Sequence, residues 1–199
     1  MKYAWLAIER EYGSGGDEVG RKVAEMLGIP CYGREILNIA AERTNRRPED
    51  IENLEEKVTG SFMYSLFLMS QINSGKAERL TETDKLNMEE DNIVRELFRK
   101  EPCVFVGRGA AGILSEEEKV LKVFIHADKE KRAERAVKYY GESAESVTKK
   151  LDKMDKRREN YYHANSQKKW KDEDNYHMIL DSGKLGVEAC SRIIAEIMK

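Results

Sequence analysis

Five short apolar runs alternate with amphipathic helical patterns along this chain, and that alternation restricts the fold more than any other feature. The runs are YAWLAI (3–8), IPCY (29–32), CVFVG (103–107), VLKVFI (120–125) and YHMILD (176–181). Each is continuously apolar, as is typical of a strand that is covered on both faces. Helical patterns at 17–28, 34–44 and 187–198 follow three of them. The order predicts a three-layer α/β domain around a five-stranded, mainly parallel sheet.

The length of 199 residues suits one domain, whose core we assign to residues 1–45 and 99–199. Residues 46–98 contain no convincing strand, which predicts a helical insert. A charged helical segment at 143–170 precedes the last strand. Ligands of parallel sheets bind beyond the carboxyl ends of the strands. We therefore expect both excursions to leave from that edge and to act as flaps over a ligand.

Charge and cysteine content exclude several classes of protein. The formal net charge is −2 although 36% of residues are charged, which argues against a protein that coats nucleic acid. The three cysteines form no C-x-x-C pair, which predicts buried thiols in a reducing cytosol. The uncharged run 60–75 is too polar to cross a bilayer. We expect a cytoplasmic protein with no membrane partner, and the apolar segment 60–72 is a candidate homodimer contact.

A glycine-rich loop connects the first strand to the first helix. It contains Gly13, Ser14, Gly15 and Gly16, and the helix that follows opens with Asp17 and Glu18. Glycines let the backbone adopt φ > 0 and approach a ligand closely, and the free N–H groups of a helix start attract anions. The loop predicts a phosphate cradle, but Gly16 occupies the place of the lysine in G-x-x-x-x-G-K-[ST]. A structural turn with Asp17 as the helix cap is the alternative.

A second register of the motif, with Arg21 in the lysine position, can be excluded. It would place Gly20 and Arg21 inside the amphipathic helix, where Val19 and Val23 must face the core.

Three segments carry a family resemblance: REYGSGG (10–16), GRGA (107–110) and DSGKLG (181–186). Together they resemble the cytidylate kinase-like proteins, which are P-loop nucleoside monophosphate kinases, over the core at about 1–45 and 100–199. The resemblance implies a P-loop kinase fold, ATP and Mg²⁺ as cofactors, and a small phosphorylated acceptor. In the family loop, G-P-x-G-x-G-K-G-T, the lysine corresponds to Gly16 and the hydroxyl that holds Mg²⁺ to Glu18. The sequence therefore names no residue as a metal ligand.

The resemblance supports the nucleotide pocket better than it supports CMP as the acceptor. Related sequences more often carry an aspartate in place of Gly33. The arginine that true cytidylate kinases carry further along the next helix has no clear match here.

Arginines elsewhere are candidates to supply the missing charge, because phosphoryl transfer needs cations around the migrating group. Arg10 enters the loop from the strand end; its alternative is an ion pair with Glu9, Glu11 or Glu18. Arg108 lies between two glycines, and the family's GR motif implies contact with the acceptor phosphate. We place Arg34 beside it. Lys22 is interpreted as a surface lysine.

The segment 149–171 holds nine Lys or Arg residues against three acidic ones. It resembles the lid of nucleoside monophosphate kinases, which implies that Arg157 and Arg158 close over the phosphates; a solvated charged helix is the alternative. Arg132 and Arg135 resemble the family's RAxR helix, with surface pairing to Glu130 or Glu134 as their alternative. Asp181 begins the loop that lies near adenine in the family, although capping explains it equally well.

Three functions remain open at this point. The first is an ATP-dependent phosphotransferase of the nucleoside monophosphate kinase type. The second is a nucleotide-binding sensor without turnover, which the missing lysine and hydroxyl favour. The third is a kinase for a different acceptor; if that acceptor reacts through a hydroxyl it requires a base, for which the sequence offers no candidate.

Overall fold

A single parallel sheet forms the centre of the molecule. The structure, a computed structural model, describes residues 2–48 and 82–199. Its strands are β1 (Trp5–Arg10), β2 (Cys31–Tyr32), β3 (Val104–Val106), β4 (Val120–His126) and β5 (Met178–Asp181). Their order across the sheet is β2-β3-β1-β4-β5, and every pair is parallel. The central strand β1 therefore ends between β3 and β4, at the edge where ligands bind.

Helices cover both faces of this sheet. They are α1 (Gly16–Leu27), α2 (Arg34–Arg43), α3 (Glu82–Lys100), α4 (Ala110–Ile113), α5 (Lys129–Tyr140), α6 (Val147–Ser166), α7 (Ser182–Leu185) and α8 (Val187–Met198), with a 3₁₀ turn at Glu173–Asn175. One face packs Ile36, Phe105 and Tyr162 with residues of α2, α3 and α4. The other packs Val23 and Ile194 of α1 and α8. These are the three layers predicted from the sequence.

The first strand extends further than its apolar run. It was predicted over 3–8, but the ladder with β4 continues through Glu9–Phe124 and Arg10–Ile125. A strand ladder orders Glu9 and Arg10, so these two charged residues are fixed at the sheet edge rather than in a loop.

The two excursions differ in how much the structure describes. Of the predicted insert 46–98, α3 is described and continues to Lys100, whereas residues 49–81 and the proposed dimer segment 60–72 lie outside the described residues. The segment 143–170 is mostly one helix, α6, seated on the core by Leu151 and Tyr162. Helices of the described ranges include none that is long and apolar enough to span a membrane.

Candidate functional site: the loop after strand β1

The glycine loop depends on glycine at two positions. Gly13 and Gly15 have φ values of +80° and +79°, which side chains with a Cβ rarely adopt. A Cβ on Gly13 would also lie 2.6 Å from the carbonyl oxygen of Arg132. Helix α1 begins at Gly16 with Gly15 as its cap, so the predicted cap Asp17 is wrong. An α-helix leaves its first-turn amides without intrahelical partners, but the predicted cofactor residues Gly15, Gly16, Asp17 and Glu18 line neither of the two cavities described below.

The place of the missing lysine is taken by the stem of Arg10. A Cβ built on Gly16 would lie 2.5 Å from Cβ and 2.7 Å from Cγ of Arg10. The guanidinium continues over Gly107, where an added Cβ would meet Nη1 at 1.8 Å and φ is +72°. The absence of a Cβ at Gly16 and Gly107 therefore leaves the space that the Arg10 side chain occupies at the sheet edge.

The loop thus contains a reciprocal exchange relative to the ordinary motif. In G-x-x-x-x-G-K, a glycine occupies the first position and a lysine the seventh. Here Arg10 occupies the first and Gly16 the seventh, with Gly15 unchanged. The cation of this loop therefore comes from the end of the strand, whereas in the ordinary motif it comes from the helix. The sequence indicates this exchange by a charged residue, Arg10, at a position where a glycine is usual.

Arg10 is held by an ion pair with Asp17. Its Nη2 lies 3.0 Å from Oδ1 and its Nε 3.3 Å from Oδ2, a bidentate geometry. The predicted alternatives, Glu9, Glu11 and Glu18, are wrong as partners. Burial alone would raise the pKa of Asp17, but the Arg10 guanidinium holds it at about 2.

Arg158 reaches the same place from α6. Its Nη1 donates to the carbonyl oxygen of Arg10 at 2.7 Å, and its guanidinium lies 5.6 Å from the ring centre of Tyr12. No carboxylate of the described residues lies within ion-pair distance of it. Burial, and next the charge of Arg10, lower the pKa of Arg158 to about 10. Of these two neighbouring guanidinium groups, Arg10 is paired with a carboxylate and Arg158 donates to a carbonyl oxygen, and the excess positive charge favours the binding of an anion.

A cavity of about 430 Å³, here called the basic cavity, opens beside this pair. Its lining includes Glu9, Arg10, Tyr12, Arg34, Arg108, Lys150, Met154, Arg157, Arg158 and Tyr161. All four arginines predicted as catalytic, and the predicted substrate residue Arg34, are therefore brought together. Within the described ranges, Glu9 is the one carboxylate in this lining, so cations dominate the cavity.

Arg108 is positioned by a buried carboxylate. Its Nη1 lies 3.2 Å from Oε1 of Glu90, a residue that is 0% exposed. The Tyr161 hydroxyl donates to the other oxygen of Glu90. Arg108 has φ +57°, so the turn after β3 holds it in a left-handed conformation. A helix of the insert region, α3, thus sets the orientation of the arginine that follows β3.

A second cavity of about 290 Å³, here called the loop cavity, lies on the other side of the glycine loop. Gly13 and Ser14 line it from the loop, Arg135 and Tyr139 from α5, and Ser182, Gly183 and Val187 from the end of β5 and beyond. The Arg135 guanidinium lies 4.9 Å from the Tyr139 ring centre. Its buried Nε has no hydrogen-bond partner among the described residues.

Several predicted nucleotide ligands are engaged by the protein itself. Glu18 forms an ion pair with Arg135, so the predicted pairing of Arg135 with Glu130 or Glu134 is wrong. Asp181 caps α7 by accepting from the amides of Gly183 and Lys184, as its alternative interpretation predicted. Lys22 pairs with Glu188 at the surface, as expected.

Arg132 is a structural residue in this geometry. Its side chain is 7% exposed, lines neither of the two cavities, and donates to the carbonyl oxygens of Ala127 and Tyr12. It pairs with Glu11 at 3.2 Å and with Asp155 at 2.7 Å. The predicted partners Glu130 and Glu134 are wrong because the side chain points inward. Arg132 connects the loop strand to α6.

Sequence reasoning did not single out Glu9, Tyr12, Lys150 or Tyr161 as cavity residues. Their signal is positional: Glu9 ends the central strand, and Lys150, Met154 and Arg157 recur at helical spacing on α6. Met154 lines the basic cavity as well.

Comparison with known proteins identifies the family of this chain. A model of the cytidylate kinase-like family matches residues 5–184. The chain belongs to the cytidylate kinase-like family. No curated protein matches it. Among solved structures, an uncharacterized protein from Eubacterium ventriosum ATCC 27560 is 26% identical, with a TM-score of 0.71 over 97% of this chain and 96% of its own.

Two shikimate kinases resemble this member of the cytidylate kinase-like family in fold. The enzyme from Acinetobacter baumannii, in complex with shikimate, is 13% identical with a TM-score of 0.53, over 97% of this chain and 91% of its own. The enzyme from Bacteroides thetaiotaomicron is 15% identical with a TM-score of 0.55, over 97% and 96%. At these identities the likeness identifies the fold, which is that of P-loop kinases.

Proposed function

We propose that the protein is an ATP-dependent phosphotransferase of the nucleoside monophosphate kinase type with a small phosphorylated acceptor. One observation carries this proposal: the glycine loop lies between two cavities, and the basic cavity is surrounded by five arginines. A nucleotide on one side of the loop and an anionic acceptor on the other would bring their phosphates together at the end of β1.

The loop cavity suits the nucleotide. Gly13 and Ser14 line it, and the backbone of a glycine-rich loop can approach phosphate oxygens closely. Arg135, with its unsatisfied Nε, has a donor left for a ligand, and the exposed ring of Tyr139 offers a stacking surface for a base. When bound, ATP with Mg²⁺ would supply the phosphoryl group and a divalent charge.

The fit to a metal ion is poorer than the fit to a nucleotide. Asp17 and Glu18, which start α1, are both paired with arginines. In the described part of the chain, no group of three or more His, Cys, Asp or Glu residues could hold a metal ion. We therefore assign no protein ligand to Mg²⁺ and derive no step from it.

The basic cavity suits the acceptor and the migrating phosphoryl group. Arg10 and Arg158 would neutralise the charge that develops on that group, because both are fixed near the end of β1. Arg34, Arg108 and Arg157 line the space beyond, where an acceptor phosphate would lie. Helix α6 covers this space and would exclude water, as a lid does.

Turnover with a panel of nucleoside monophosphates, ATP and Mg²⁺ tests the proposal through release of ADP. We expect turnover with at least one acceptor and a loss of at least about tenfold in Arg157→Ala, which removes a cation from the cavity. Lys156→Ala is the matched control, because Lys156 is the preceding residue on α6 and pairs with Glu159 at the surface.

A sensor without turnover is the competing function. The ion pairs that occupy Asp17 and Glu18 favour it, since neither carboxylate is left to organise a metal. Binding of ATP in calorimetry with no ADP release from any acceptor would favour the sensor. Absence of both binding and turnover would contradict both functions.

A further inference from the structure

The two acidic residues that start α1 hold arginines on opposite sides of the glycine loop. Asp17 pairs with Arg10, which lines the basic cavity, and Glu18 pairs with Arg135, which lines the loop cavity. Neither carboxylate lines a cavity itself. Both arginines are therefore neutralised by neighbouring carboxylates of the protein, each from outside the cavity that its arginine lines.

The guanidinium of Arg135 lies directly against the loop. A Cβ built on Gly15 would lie 3.0 Å from its Nε and 3.1 Å from its Cζ. Its Nη2 donates to Oε2 of Glu18, so that Nη2 is not available to a ligand while the pair persists. The side chains of Arg135 and Glu18 are 22% and 48% exposed. Solvent reaches both partners, so a dissolved anion can compete with Glu18 for the guanidinium.

Other charged residues of the loop cavity do not compensate for this pairing. Lys131 and Glu134 both line the cavity and pair with each other at 3.1 Å, so together they add no net charge. Lys138 is the remaining cation among the described residues of this lining. An anionic ligand in the loop cavity therefore depends on the charge of Arg135 beside the loop, and Glu18 withholds that charge.

We propose that Glu18 is an autoinhibitory residue that competes with the nucleotide for Arg135. This inference rests on the proposed function, which assigns the nucleotide to the loop cavity. A phosphate group of the nucleotide and the Glu18 carboxylate bind the same guanidinium, and binding of one displaces the other. Exposed ion pairs favour the paired state by about twofold to fivefold. Arg135 is then unpaired in about one-third to one-sixth of the molecules, and the apparent affinity for the nucleotide falls by the same factor.

Calorimetric titration with a non-hydrolysable ATP analogue, in buffer without Mg²⁺, tests the competition. Glu18→Gln removes the charge and keeps the size of the side chain, and we expect it to bind the analogue about threefold to sixfold more tightly than the wild type. Glu25→Gln is the matched control, because Glu25 is an exposed glutamate of the same helix that lines neither cavity. Its affinity should differ from that of the wild type by less than about 1.5-fold, since solvent and salt screen an exposed charge.

The same substitution in Arg135→Ala distinguishes competition from simple repulsion. If Glu18 acts through Arg135, the double variant and Arg135→Ala should bind the analogue with affinities that agree within about 1.5-fold. If the Glu18 charge merely repels the phosphates, Glu18→Gln should improve binding equally with and without Arg135.

Three results would overturn the role of Glu18: unchanged or weaker binding in Glu18→Gln, an equal gain in the Arg135→Ala background, or an equal gain in Glu25→Gln. A different pattern would mark failure of the proposed function. In that case the wild type, Glu18→Gln and Glu25→Gln would all fail to bind the analogue, which contradicts the nucleotide site and with it the competition.

Discussion

The exchange of Arg10 and Gly16 can be reversed by mutation, and the structure predicts whether each substitution stabilises or destabilises the protein. A Cβ at position 16 would lie 2.5 Å from Cβ and 2.7 Å from Cγ of Arg10, atoms close to the backbone that cannot swing away. Overpacking of this kind costs about 1–3 kcal/mol. An ordinary Gly→Ala change in a helix stabilises by about 0.5–1 kcal/mol. We therefore expect Gly16→Ala to destabilise the protein.

The informative variant is Arg10→Gly with Gly16→Lys, which restores G-x-x-x-x-G-K. Each single change should destabilise the protein. Gly16→Lys acts through the clash, and Arg10→Gly through loss of the pair with the half-exposed Asp17, about 1 kcal/mol. In the double variant the clash disappears with the Arg10 stem. Its free energy of unfolding should therefore exceed the additive expectation by more than about 1 kcal/mol.

Urea unfolding followed by tryptophan fluorescence measures this cycle, because Trp170 is 1% exposed in the core. The double variant should also keep its affinity for an ATP analogue, with a lysine in the usual place. A Gly16→Ala protein more stable than the wild type would refute the reasoning. So would a double variant whose destabilisation is additive within about 0.5 kcal/mol.

Two further predictions concern ion pairs. The pKa of Asp17 is about 2 in the folded protein and near 4 in the unfolded chain, so Asp17 stabilises the fold above about pH 4 and this stabilisation is lost as the pH falls through 2. Because the Asp17 side chain is half-exposed, we expect the stabilisation to be about 1 kcal/mol. Asp17→Asn should flatten the fall in the free energy of unfolding between pH 5 and pH 2, and an unchanged slope would contradict this. Arg132→Ala should cost about 3–5 kcal/mol in urea unfolding, because it leaves the mostly buried Asp155 without its cation and Glu11 with Lys171 alone, and a cost below 1 kcal/mol would contradict that.

The fold was predictable because its signals are local. Continuous apolar runs identified all five strands, and the helix predicted over 187–198 is α8 with those bounds. The second register of the loop was correctly excluded, since Gly20 lies inside α1 and Val19 and Val23 are fully buried. Periodicity and strand–helix order carry this information in any short window.

Partner choice was not predictable, because it depends on the tertiary structure. Arg10 pairs with Asp17 across the turn of the loop, rather than with any of the three glutamates considered. Arg132 meets Glu11 of the first strand–loop unit and Asp155 of α6, partners that its own helix cannot supply. The spacing of charges along a sequence identifies ion-pair partners on one face of the same helix. The buried pairs of this protein join elements that are distant in sequence, which spacing does not identify.

The new position of the cation also predicts which kinetic constant it controls. Arg10 lines the basic cavity and Arg135 lines the loop cavity, so they contact opposite sides of the glycine loop. A cation on the acceptor side acts mainly on the migrating phosphoryl group, and one on the nucleotide side acts on the bound nucleotide. Arg10→Gly should therefore lower kcat for ADP release by at least about tenfold while the affinity for a non-hydrolysable ATP analogue changes less than threefold.

Arg135→Ala is the matched comparison, because it removes a guanidinium from the other side. It should weaken analogue binding by about tenfold, the equivalent of one charged hydrogen bond. General damage to the loop would lower both kcat and analogue affinity in Arg10→Gly and in Arg135→Ala. The contrast between the two variants therefore distinguishes separate roles of the two cations from such damage. Equal loss of analogue affinity in the two variants would mean that Arg10 serves the nucleotide as the ordinary lysine does, and that its move to the strand changed the scaffold but not the role.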